Sequence, residues 1–266
     1  EGDKFNKISW NEAYEILKAK LQNTNEDKIG CFTGDLTNME TAYAAKELFN
    51  KVFKSNLIDS RCENYYVNFS EKQNYRFNSN ITGVEESDLI LFIGCNPRYE
   101  ATILNSRIRK SYLKSKLPIY STNDIGDQTY PYNIIDNSTS LIKDIVESRN
   151  ELAEKIIQSS KPIVIVGQSV LKNKSGKYIF EELKKFLIKN NKINNDWNSL
   201  NILSKDASTV GSYDLTLFSS NNGRNILLEK FNENSIDLLF LLGQDKLKIK
   251  RKGLFVVYVG SHGDEG

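Results

Sequence analysis

Three features of the sequence predict an α/β fold built on parallel sheet. Short apolar runs rich in Val, Ile, Leu and Phe (Leu89–Ile93, Ile163–Val166, Leu238–Leu242, Leu254–Val259) are continuous rather than alternating, as in strands buried on both faces. Amphipathic helical stretches lie between them. Most of the runs end in a glycine followed by small polar residues, which lets the chain turn sharply at a strand end.

Along the chain, Ser9-Trp10-Asn11-Glu12 is a capping box, and its helix places Ala13, Ile16, Leu17 and Leu21 on one face. Thr37-Asn38-Met39-Glu40 reads as a second box, opening a helix toward Phe53. Glu100 to Leu113 reads as a third helix, with Leu104 and Ile108 inward and Arg107, Arg109 and Lys110 outward. Helical stretches recur at Glu151–Ile157, Lys177–Ile188 and Arg224–Phe231. Lys189–Asn198, dense in Asn and Lys, reads as loop, and Lys246–Lys252 as a solvated charged connector.

Composition narrows the function classes. A chain of 266 residues, 39% hydrophobic, builds a core without staples, as one large domain or two ordinary ones. Lys+Arg of 36 against Asp+Glu of 34 leaves no global basic field for nucleic acid, and Lys246–Lys252 lacks interleaved aromatics. Cys31, Cys62 and Cys95 are isolated and His262 is the single histidine, so neither a structural zinc site nor an ordinary iron–sulfur cluster is within reach of this chain alone. So sparse a set of cysteines reads as a reducing compartment. No apolar run approaches the ~20 residues of a spanning helix, so no membrane insertion is expected. The polar start without an initiating Met reads as a segment excised from something longer.

The repeated chemical feature is the strand end. Gly34, Gly94 with Asn96, Gly167, Gly243 and Gly260 each follow an apolar run. In open α/β sheets that edge carries the ligand crevice, so these are the candidates should a pterin or nucleotide bind; the bland alternative is that such loops simply need glycine. No G-x-G-x-x-G, P-loop or G-x-S-x-G motif is present. No catalytic residue and no metal site is expected; His262-Gly263-Asp264-Glu265 is a weak metal candidate. The segment Gly94-Cys95-Asn96-Pro97-Arg98-Tyr99-Glu100-Ala101 with Asn105–Lys110 is the densest in charge and turn chemistry. Arg98, Glu100, Arg107, Arg109 and Lys110 are candidates for docking a partner, against a reading as helix-surface charge.

These residues carry a family resemblance. Ile8-Ser9-Trp10-Asn11-Glu12-Ala13, Asn80–Asp88, Gly94–Ala101 with Arg107–Lys110, Phe240–Gly243 and Gly260–Asp264 resemble the molybdopterin-oxidoreductase-like region of the large iron–sulfur subunit (75-kDa type) of proton-translocating NADH–quinone oxidoreductase, respiratory complex I. The likeness runs from Ile8 to the end. The Gly94 segment resembles the complex I branch specifically, and the strand-end glycines resemble molybdopterin enzymes generally.

The resemblance implies two doubly wound, Rossmann-like α/β lobes with mainly parallel sheets: an outer lobe at 1–60 and 212–266, and an inserted lobe at 61–211. It implies a part in NADH-to-quinone electron transfer in which this region is a redox-inert scaffold of the peripheral arm. Iron–sulfur clusters would be bound by an N-terminal portion of the parent subunit that is absent here, with no cofactor in this region. It further implies other peripheral-arm subunits as partners, at the cytoplasmic side of a bacterial inner membrane. Molybdenum enzymes place a metal ligand near where this chain reads Asp59-Ser60-Arg61-Cys62, which makes Cys62 the candidate for that role. The alternatives are a segment of an active molybdopterin-dependent oxidoreductase holding a pterin dinucleotide at the glycine loops, and a stand-alone nucleotide-binding module.

Overall fold

The structure is a computed structural model describing residues 6–135, 140–249 and 251–260. The chain runs α1 (Trp10–Gln22), β1 (Ile29–Thr33), α2 (Met39–Glu47), β2 (Ile58–Asp59), α3 (Asn80–Gly83), β3 (Leu89–Ile93), α4 (Pro97–Glu100) and α5 (Thr102–Ser115). It continues through β4 (Ile119–Ser121), β5 (Asn133–Ile134), α6 (Leu141–Val146), α7 (Glu151–Gln158), β6 (Pro162–Gly167), α8 (Gln168–Leu171), α9 (Gly176–Lys189) and β7 (Leu200–Leu203). It closes with α10 (Thr209–Asp214), β8 (Ser220–Asn221), β9 (Arg224–Asn225), α11 (Ile226–Asn232), β10 (Leu238–Leu242) and β11 (Phe255–Val259). Two compact units result: Glu1–Asn64 with Gly211–Asn221 and Asn225–Gly266, and Tyr65–Val210 with Asn222–Arg224.

The first unit holds an all-parallel sheet in the order β11-β10-β1-β2. Alternate residues of one strand face opposite layers, so Ile29 and Cys31 pack on α2 through Ala42 and Ala45 and on Phe49 just after it, while Phe32 packs on α11 through Leu227 and Leu228. The second unit holds β5-β4-β3-β6-β7, again all parallel. Leu89, Leu91 and Ile93 face α6, α7 and α9, whereas Ile90 and Phe92 face α5. Both faces of β3 and β6 are therefore buried, which is why their apolar runs are continuous. Both sheets are doubly wound α/β layers.

The local expectations hold with informative shifts. Ser9 caps α1, accepting from the Glu12 amide at 3.2 Å while the Glu12 carboxylate accepts from the Ser9 amide at 3.3 Å. Leu17 and Leu21 lean on the first core, but Ile16 is exposed. The second helix starts one residue late: Asn38 caps it, accepting from the Thr41 amide at 2.8 Å, because the Thr37 hydroxyl donates instead to the Leu242 carbonyl at 3.0 Å. That helix widens to π geometry over Leu48–Phe53 and stops at Lys54, whose φ of 54° is left-handed. The third helix is broken at Ala101 into α4 and α5. Of the run Lys246–Lys252, Leu247 is buried and Arg251 pairs with Asp237, so it is a packed connector rather than a solvated one. His262–Glu265 lie outside the described residues.

Candidate functional site

Each sheet has one place where successive crossovers leave in opposite directions. In the second unit, β3 leads through α5 to β4 on one side, and β6 leads through α9 to β7 on the other. The switch point is the carboxyl end of β3 and β6, where Gly94, Asn96 and Gly167 meet. A cavity of about 640 Å³ opens there, lined by Gly94, Asn96, Glu100, Asp124, Ser169 and Ile179 among others.

The glycines at this edge close on one another. A Cβ at Gly167 would lie 2.1 Å from the Gly94 carbonyl oxygen, and Gly94 has a φ of +58°. The Ser169 hydroxyl donates to the Gly94 carbonyl and latches the two loops. In the first unit the switch point lies between β1 and β10, where a Cβ at Gly34 would lie 1.6 Å from the Gly243 carbonyl oxygen. The Gly34 amide donates to the Leu242 carbonyl at 2.8 Å, and the Gly243 amide to the Val259 carbonyl at 2.8 Å. Gly260 follows β11 and is exposed, apart from these pairs.

The Gly94–Ala101 segment is held from below by a buried network that local sequence does not announce. The fully buried Gln128 donates through Nε2 to the Asn96 side chain at 3.1 Å and the Ile125 carbonyl at 2.6 Å, and accepts from the Arg98 amide at 3.2 Å. Asn105 donates to the Gln128 carbonyl at 3.3 Å and accepts from the Tyr130 hydroxyl at 2.6 Å. Burial pushes the Tyr130 hydroxyl and the Cys95 thiol up, and the Glu100 charge pushes Cys95 further. Neither Cys95 nor Cys31, raised by burial alone, is a ready thiolate. Asp124 at the cavity wall is held below its ordinary range by the Gly126 amide and the Tyr132 hydroxyl.

The docking candidates scatter into internal ion pairs. Arg107 and Lys110 converge on Glu85 at 2.6 and 2.8 Å, and their bonds, Lys110 foremost, hold that carboxyl low. Arg98 reaches Asp127 at 2.7 Å. Glu100 turns back onto the Asn96 amide at 3.0 Å rather than sharing the α5 face with Arg107. Arg109 is exposed, and no ion pair to it is found among the described residues.

At Asp59-Ser60-Arg61-Cys62 the chain is closed as well. The Asp59 carboxylate accepts from the Arg61 Nε at 3.0 Å, its guanidinium NH2 at 2.8 Å, the Arg61 amide at 2.9 Å and the Ser219 amide at 3.0 Å. Both side chains are fully buried. Cys62 is half-buried against the α11 core layer. Among the described residues no group of three or more His, Cys, Asp and Glu is placed to hold a metal ion.

The chain belongs to the molybdopterin oxidoreductase family, whose model matches residues 1–266. Among individual proteins it is 34% identical to the NADH-ubiquinone oxidoreductase 75 kDa subunit of Reclinomonas americana, over 100% of this chain and 40% of that protein. It is 33% identical to the mitochondrial NADH-ubiquinone oxidoreductase 78 kDa subunit of Candida albicans, over 100% of this chain and 36% of the other. It is also 33% identical to a subunit of the NADH-quinone oxidoreductase of Rickettsia prowazekii, over 99% and 38%. The chain thus spans well under half the length of these curated relatives.

The family name implies a pterin cofactor, and the β3 and β1 strand-end loops do not offer one a phosphate cradle. A dinucleotide's diphosphate needs N–H donors or cations. At the switch points the Gly34, Gly243 and Asn96 amides are spent within the chain, and Glu100 and Asp124 are the charged residues of the cavity lining. For a metal at Cys62, no group of three or more ligating side chains is at hand among the described residues, and the nearby Asp59 carboxylate already accepts from Arg61 and Ser219.

Proposed function

We propose that this chain is a structural portion of the large subunit of a respiratory NADH–quinone oxidoreductase, serving electron transfer from NADH to quinone as a redox-inert scaffold of the peripheral arm. The observation that supports this most is the full-chain likeness to subunits of that enzyme, combined with strand ends whose donors are already used. Iron–sulfur clusters of the parent subunit would be held outside these 266 residues. The partners would be other peripheral-arm subunits, at the cytoplasmic side of a bacterial inner membrane. No helix among the described residues is long and apolar enough to cross a membrane, in keeping with attachment through the complex. Residues 1–60 with 212–266 act in this reading as an outer lobe, and 61–211 as a lobe inserted into it. Arg109 is the sharpest docking candidate, since Arg98, Arg107 and Lys110 already have partners.

The rival reading, a pterin-dependent oxidoreductase segment, takes its support from the family match. The two separate by analysis of protein made in a host that supplies the cofactor. The scaffold reading expects no stoichiometric molybdenum and no fluorescent pterin after oxidative denaturation. Finding both would overturn it.

A further inference from the structure

We propose that Glu100 is a built-in anion that closes the β3 strand-end loop against phosphate-bearing ligands, so that the cavity refuses a diphosphate by charge. The proposal rests on the scaffold reading for the lack of a pterin dinucleotide, and adds the residue responsible.

The donors of the loop can be followed one by one. Beyond the left-handed Gly94 and Cys95, the loop runs through the amides of Asn96 to Glu100. Asn96 donates to Glu100 Oε1 at 3.0 Å. Pro97 has no N–H. Arg98 donates to Gln128 Oε1 at 3.2 Å, and Tyr99 and Glu100 donate to the Asn96 carbonyl at 3.1 and 2.9 Å. Every amide of this stretch is thus spent. The nearby guanidinium of Arg98 is committed to Asp127. Across the crevice, the Ser169 hydroxyl is spent on the Gly94 carbonyl, and a Cβ at Gly94 would lie 2.1 Å from Val170 Cγ2. The cavity of about 640 Å³ carries Glu100 and Asp124 on its wall and neither Lys nor Arg among its lining residues. An incoming phosphate would meet two carboxylates and no free amide of that stretch, an arrangement that repels it at close range.

The test uses the whole 266-residue chain, with sodium pyrophosphate and guanosine diphosphate as probes and guanosine as the uncharged control. Calorimetric titration measures binding, and the Asn96 amide resonance reports whether its bond to Glu100 persists. Wild type should show no saturable binding of either phosphate probe up to about 10 mM. Glu100→Ala frees the amide and the charge together, and should gain at least about tenfold in pyrophosphate affinity, a gain that shrinks with added salt. Glu100→Gln keeps an acceptor on Asn96 and removes only the charge. It should gain less than Glu100→Ala, and it decides the matter if the alanine variant does not fold. Saturable 1:1 binding of pyrophosphate by wild type overturns the proposal. So does a variant that releases the Asn96 amide without gaining pyrophosphate affinity, or a gain shared equally by guanosine, which would report opened space rather than removed charge. Failure here, with wild type still free of pterin, leaves the scaffold reading standing; pterin in wild type overturns that reading whatever Glu100 does.

Discussion

The buried pair Asp59–Arg61 makes the most demanding energetic prediction. Both side chains are fully out of solvent, and one carboxylate accepts four hydrogen bonds. Asp59→Asn keeps the volume but removes the carboxylate charge facing a buried guanidinium, for which the expected loss is about 3–5 kcal/mol. Arg61→Met leaves the carboxylate with the two amides of residues 61 and 219, so its loss should sit near the lower end, about 3 kcal/mol. The double variant removes both charges together. Its loss should fall short of the sum by about 2 kcal/mol or more, because neither partner is then stranded. Urea unfolding of the three variants and wild type gives the cycle, with equal m-values as the condition for comparison. Single losses below about 1 kcal/mol, or strictly additive losses, would refute the claim that Asp59 is committed to Arg61. Asp59 would then be available to a cation, and a metal at this segment would be back in play.

Three further outcomes are expected. Asp88 is pushed up by burial but pulled further down by the Ser159 hydroxyl and by the amides of Ser160 at 2.6 Å and Lys161 at 3.0 Å. A carboxyl held low contributes stability that is complete above its unfolded value of about 3.9 and is lost as pH falls through its folded value. Asp88→Asn should therefore narrow the gap to wild type as unfolding is followed from pH 6 to strong acid, the effect at neutral pH staying under about 1 kcal/mol because Asp88 is exposed; a gap that is constant with pH would contradict it. Gly34→Ala, whose Cβ meets the Gly243 backbone at 1.6 Å, should cost about 3 kcal/mol, against about 1 kcal/mol for Gly126→Ala, which has open space but a φ of +69°. Equal losses in thermal unfolding would deny the closed contact. Arg109→Glu should leave the melting of the isolated chain within about 0.5 kcal/mol of wild type while reducing co-assembly with sister subunits on native gels; unimpaired assembly would make Arg109 plain surface.

What could be read from the sequence follows from how local the determining contacts are. The cores of β3, β6 and β10 stand out because burial on both faces demands unbroken apolar residues. β7 does not, since its Asn201 is buried yet satisfied by Ser79, a partner far off in sequence. Two residues make β2 and two make β5, too few for any periodic signal. The break at Ala101 is invisible in a stretch whose Leu104 and Ile108 keep helical spacing; it sits directly after Glu100, which turns back to Asn96. At Thr37-Asn38 both residues are capping types, and only the Leu242 carbonyl decides which one caps. Gln128 and Ser169 carry no local mark, because their partners lie in other loops.

The strand-end glycines, which the sequence leaves open between ligand cradle and simple turn, take a specific meaning from their recurrence. The two switch points are built alike. At each, a left-handed glycine, Gly243 with φ +59° or Gly94 with φ +58°, offers its carbonyl to a glycine of the neighbouring strand end. At each, a hydroxyl on the neighbouring loop, Thr37 or Ser169, donates to the carbonyl at the end of the facing strand, that of Leu242 or Gly94. A side chain on Gly34 or Gly167 would meet the facing glycine's carbonyl and drive the loops apart, so glycine there serves approach between backbones. The same residue type at the same edge would serve a phosphate equally well, which is why pattern alone could not choose. The choice is made by the residues beside the glycines. Thr37, Glu100 and Ser169 take up the Gly34 amide, the Asn96 amide and the Gly94 carbonyl, so at these three groups the chain's own side chains stand where a ligand's atoms would.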